Sequence, residues 1–126
     1  MQPGRLIAGA LCAMLLSSVS ALAEPAPAGS PYGAIASEKR SDKTVGDAVD
    51  YASKDEAVNA AISECNERAG GRHVCVLRVW FHKQHCAAYL ASSKETAHYF
   101  GDTKEDAVQK GLGDFPEGRV VDAACN

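Results

Sequence analysis

Hydrophobic and polar positions change period several times along the chain, and each change marks an element. Ala57, Val58, Ala61, Ile62 and Cys65 form one stripe at helical spacing, with Asn59, Ser63 and Glu64 between them. That stripe predicts an amphipathic helix from Lys54 to Arg68. Ser53 and Glu56 make a capping box at its start, the hydroxyl accepting from a first-turn amide while the carboxylate reaches back. Gly70-Gly71 supplies the stop. Fifty residues on, Ala107, Val108, Gly111, Leu112 and Phe115 repeat the stripe, predicting a second helix from Lys104 to about Gly113, before Pro116. Thr103 and Asp106 cap it. Asp55, Glu56, Glu105 and Asp106 sit at the positive ends of the two helices, so capping accounts for these paired carboxylates without catalysis.

Strand-like runs flank both helices. Gly33–Ala36 and Val45–Tyr51 precede the first and Cys75–Phe81 follows it; Ala88–Ala91, Thr96–Phe100 and Arg119–Cys125 surround the second. Each half reads strand, strand, helix, strand, with Gly33–Ala36 corresponding to Ala88–Ala91. The expected fold class is α+β: two such repeats with pseudo-twofold symmetry, forming antiparallel sheet packed against two helices.

The first residues follow a different logic. Arg5, the apolar run Leu6 to Leu16 and the small-x-small site Ala21-Leu22-Ala23 read as a secretory signal over 1–23, cleaved after Ala23. Eleven apolar residues are too few to span a bilayer, so no stable membrane anchor is expected after cleavage. Residues 24–31, rich in Pro and Ala, read as a flexible tether, and a single repeat-built domain occupies 32–126. The expected location is the periplasm or the extracellular space.

Thirteen Lys and Arg against sixteen Asp and Glu give a formal net charge of −3, or −4 once Arg5 leaves with the signal. Mild acidity argues against a nucleic-acid partner, which needs a basic face. Only eight residues are aromatic, so the core is small and gains from covalent staples. Cys12 departs with the signal, leaving Cys65, Cys75, Cys86 and Cys125, an even count in an exported chain and the arithmetic of two disulfides. Gaps of ten, eleven and thirty-nine lack the close knuckles of a zinc site. Four cysteines allow three pairings, and the repeat selects among them. Cys65 corresponds to Phe115 and Cys75 to Arg119, so both are absent together from the second half, as a bonded pair would be. Cys65 with Cys75 and Cys86 with Cys125 are therefore the expected pairs.

Tyr32-Gly33-Ala34-Ile35-Ala36, a Ser-x-x-Glu-Ala helix start, a cysteine ending that helix, Cys75-Val76, Cys86-Ala87-Ala88 and a closing Ala-Cys-Asn resemble, in that order, the bacterial exported family known as domain of unknown function 4189. The resemblance covers roughly Tyr32 to Asn126. Typical members carry a tryptophan-glycine strand before each helix; Val45-Gly46-Asp47 and Thr96-Ala97-His98 stand there instead, marking a divergent member. The resemblance implies a secreted or periplasmic accessory protein and carries over no catalytic residue.

Enzyme motifs are missing on their own terms. A Cys-His pair needs a free thiol, and neither a Gly-x-Ser-x-Gly elbow nor a phosphate-binding glycine loop occurs. No catalytic residue and no cofactor are expected. The sharpest local cluster is Trp80 to Cys86. Trp80, His82, Lys83 and His85 are candidate partner-binding residues, because aromatic and basic side chains concentrate binding energy. His82 and His85, with His73 or His98, are weaker candidates for copper or zinc, since a turn does not aim two imidazoles at one point without further ligands. The partner expected is another protein. The leading expectation is a non-enzymatic binding module, an inhibitor or immunity-like protein against an envelope-directed toxin or hydrolase. A secreted stress- or host-related factor is the alternative, and a periplasmic metal-binding protein the third reading.

Overall fold

A computed structural model describes residues 31–126 of the chain. The export signal expected over 1–23 and, apart from Pro31, the tether over 24–31 lie outside the described residues. The order of elements is β1 (Tyr32–Glu38), β2 (Val45–Tyr51), α1 (Lys54–Arg68), β3 (Cys75–His82), β4 (Cys86–Ala91), β5 (Thr96–Gly101), α2 (Lys104–Asp114) and β6 (Arg119–Cys125). The cap hydroxyls act as read: Ser53 Oγ accepts from the Glu56 amide and Thr103 Oγ1 from that of Asp106. Each half folds into its own three-stranded antiparallel sheet, β2-β1-β3 and β5-β4-β6. Among the described residues no helix is long and apolar enough to cross a membrane.

The side-chain clusters stack these parts in four layers. Ala34, Ala36 and Ala48 pack against Ala57, Ala61 and Cys65 of α1. Ile35 points the other way, joining Val79, Phe81, Ala87, Tyr89 and Ala124 between the two sheets. Ala88 and Leu90 turn outward again, onto Ala107 and Phe115 beside α2. At the first helix the packing reaches backbone contact. A Cβ on Gly46 would lie 2.3 Å from the Ala61 carbonyl oxygen and 2.4 Å from the Cys65 nitrogen, so this strand position requires glycine.

Burial on both faces also explains a register error in the sequence reading. All six residues of β4 are buried, and a strand covered on both sides loses the alternation that would show its phase. Ala34 faces its own helix as Ala88 does, whereas Tyr89 lies between the sheets, so matching Gly33–Ala36 to Ala88–Ala91 is one residue out. Strand pairing gives the correct match. Tyr32 pairs with Tyr51, two residues before the Ser53 cap, and Cys86 pairs with Gly101, two before the Thr103 cap. Both sheets also carry a bulge at the same place, between Ile35 and Ala36 in one and between Tyr89 and Leu90 in the other.

Cys65 is bonded to Cys75, and Cys86 to Cys125. With the register corrected, Cys75 corresponds to Gly118 rather than Arg119. The Phe115 ring covers Gly118 so closely that a Cβ there would lie 2.4 Å from it. An aromatic contact thus stands in the second half where the first has a disulfide. The reverse holds at the other end: Tyr32 pairs with His82 where Cys86 pairs with Cys125.

Candidate functional site

Strand β3 carries Trp80 and His82, and the turn after it Lys83 and His85; the side chains of the strand divide between two environments. Val79 and Phe81 enter the inter-sheet core, whereas Trp80 lies opposite Ala34, beside the start of α1, and is 41% exposed. The Lys54 ammonium sits 4.3 Å from the Trp80 ring centroid, within cation–π range. Tyr32 links the cluster: its ring lies 6.5 Å from Trp80 and 3.9 Å from His82, stacked on both. The turn after β3 is tight, with Lys83 at φ 70° and the Gln84 side-chain oxygen accepting from the His82 amide at 3.2 Å. His82 Nε2 is buried without a hydrogen-bond partner.

Trp80, His82 and Lys83 therefore converge, and with Gln84 they line a groove completed by His98 and Phe100. The last two come from β5, their rings packed edge to face at 5.5 Å. Sequence reading placed His98 among the metal candidates and overlooked Phe100, since only the stacking of the second sheet against the first brings them here. His85 does not line this groove; its carbonyl accepts from the Asn126 amide at 2.8 Å. The Asn126 side chain meanwhile accepts from the Asp50 amide and donates to the Pro31 carbonyl, closing the two halves together. His73 lies apart, beside Arg72 in a different groove. Among the described residues no three His, Cys, Asp or Glu side chains are placed to hold one metal ion.

That other groove, at the start of β3, was not anticipated. Lys39, Arg40, Arg72 and His73 rim a floor that includes Cys75 and Val76. Its one carboxylate, Glu38, accepts from Ser41 at 2.6 Å and Thr44 at 2.7 Å, and these bonds hold it below the usual carboxylate range, with Arg72 3.6 Å away. Among the described residues neither Lys39 nor Arg40 pairs with a carboxylate.

Two further polar groups lie between the sheets. Asp42, at φ 50°, accepts from the Ser37 hydroxyl and from the Tyr89 phenol at 3.1 Å and pairs with Arg78 at 3.2 Å, so the first hairpin is fastened to β4. Burial pushes the Tyr89 phenol up, and its role here is as a donor. Asp122 accepts from the Ala123 amide at 2.9 Å, while its second oxygen is buried without a partner. Burial, and then the facing Asp47 carboxylate, push Asp122 up to about 6. It lines neither of the two grooves described above.

The chain as a whole is similar in fold to a solved structure, the NMR structure of Rv1813c from Mycobacterium tuberculosis. The two are 21% identical with a TM-score of 0.54, and the match covers 100% of this chain and 99% of the other. No curated protein matches the sequence. Residues 32–118 match the family described as domain of unknown function (DUF4189), and the chain belongs to that family.

Proposed function

We propose that this protein is an exported, non-enzymatic binding module that inhibits an envelope-directed toxin or hydrolase. The observation that carries the reading is the exposure of Trp80 on a rigid strand, flanked by Tyr32, His82 and Lys54. A large aromatic presented with a neighbouring cation is the usual anchor of a protein interface, and a surface already ordered before binding loses little entropy on contact. Two disulfides suggest an oxidising compartment, which suits a target outside the cytoplasm.

Affinity capture from the organism's own envelope and secreted fractions tests the reading, with oxidised protein as bait and a Trp80→Ala variant as control. Retention of one hydrolase or toxin whose activity falls in the complex, and its loss from the variant, is the expected result. Repeated capture without a stoichiometric partner overturns it.

A further inference from the structure

Strand β3 is an edge strand with features of a receiving site. It pairs with β1 on one side, and among the described residues no strand pairs with the other. At eight residues it is the longest strand among the described residues and contains no proline; its bulge at Arg78 interrupts the edge once, between the Cys75–Leu77 and Val79–His82 stretches. A long open edge presents unpaired amides and carbonyls that template the addition of another extended chain. Both grooves open along this same strand, one at Cys75 and Val76, the other at Trp80 and His82.

Cations stand at both ends of the strand. Lys39, Arg40 and Arg72 lie at its start, Lys39 on the side paired with β1, where its amide donates to the Val74 carbonyl, and Lys83 lies at its end; Glu38 is engaged by Ser41, Thr44 and Arg72, and Arg78 within the strand by Asp42. The chain carries a formal net charge of −3, so this concentration of cations reflects placement rather than composition. A second copy of the chain is a poor occupant. Antiparallel pairing of β3 with itself lays the cationic start of each strand beside Lys83 of the other, and opposed like charges destabilise such pairing.

We propose that β3 receives an extended acidic segment of a partner protein as an added strand. Main-chain hydrogen bonds supply the pairing, carboxylates at the two ends of the segment face Lys39 and Arg40 or Lys83, and an apolar side chain rests on Trp80. This inference rests on the protein-binding reading above and specifies its partner.

Synthetic peptides test it directly. The probe is an alternating valine-threonine peptide with two acidic residues at each end, titrated into the oxidised protein. Trp80 is the sole tryptophan and reports binding by its fluorescence, while hydrogen exchange reports the β3 amides. The expected result is a saturable fluorescence change with protection of β3. The pair Lys39→Glu and Arg40→Glu should weaken binding by about tenfold or more, as like charges replace complementary ones. A control peptide with N-methylated alternate amides should not bind, because it keeps the side chains but loses the main-chain donors. No saturable change at millimolar peptide overturns the proposal, as does equal binding by the N-methylated peptide or by a lysine-ended version. Self-association of the protein through β3 also overturns it. Failure here with a partner still captured through Trp80 rejects strand addition alone; success here with no inhibited partner rejects the inhibitor reading alone.

Discussion

Tyr32 and His82 stack with ring centroids 3.9 Å apart, at the register position where the second sheet joins Cys86 to Cys125. The two halves solve the same problem, holding a central strand to its outer neighbour at the sheet end, by different chemistry. Directly opposed residues on antiparallel strands have Cβ atoms within about 5.5 Å, close to the span a disulfide needs. Replacing both residues, Tyr32→Cys with His82→Cys, should therefore give a third intramolecular disulfide. Loss of two thiol hydrogens in the mass of the oxidised protein, with no free thiol on titration, checks this outcome.

The two native bridges should contribute unequally. They close loops of 10 and 39 residues, for which chain entropy gives about 3 and about 4 kcal/mol respectively. Urea unfolding of Cys65→Ala with Cys75→Ala, against Cys86→Ala with Cys125→Ala, should show the larger loss in the second pair. Equal losses would mean that the unfolded chain is already restricted around one of the loops.

Asp122 should make stability depend on pH in an unusual sense for an aspartate. Its carboxyl is raised from 3.8 to about 6 by burial first and by Asp47 second, with Ala123, Lys104 and Arg68 acting against them. Between these values the folded protein holds a proton that the unfolded chain has released. The stabilising contribution is thus complete below pH 3.8 and is lost as pH rises through about 6. Asp122→Asn should stabilise by about 1–2 kcal/mol near pH 7.5, a figure reduced for partial solvent screening, with no gain at about pH 4. Urea midpoints of both proteins across that range provide the measurement.

Gly46→Ala should be among the most damaging single-methyl changes in the chain. The new Cβ would meet backbone atoms of α1 at 2.3 and 2.4 Å, and backbone cannot rotate away as a side chain does. We expect a loss of about 2–3 kcal/mol in urea unfolding, from displacement of the helix rather than from lost contacts.

Local signals and distant ones fared differently. Both ends of α1 were legible because a capping box and a glycine pair act within a few residues, and β2 and β6 were legible from their own residue patterns. The phase of β4 was not, since every one of its side chains is buried and nothing alternates. The basic groove was hidden for another reason. Lys39 and Arg40 lie more than thirty residues from Arg72 and His73, and they meet only because Glu38 pairs with Cys75. Phe100 joined the candidate site through packing of the second sheet on the first, and the mutual influence of Asp47 and Asp122 likewise needs the halves assembled.

Each sheet is drawn from one continuous stretch of chain, the first complete at His82 and the second at Cys125. The first half can therefore form its hydrogen bonds and its Cys65–Cys75 bridge while the second is still unformed. It cannot cover Ile35, Val79 and Phe81, whose shelter is provided by Ala87, Tyr89 and Ala124. Such a half-molecule is locally complete yet adhesive, and its own continuation is the surface that arrives first, held nearby by the short turn between β3 and β4. The shortness of that turn is thus a safeguard against aggregation during folding, because it keeps the correct cover at a higher effective concentration than any other chain.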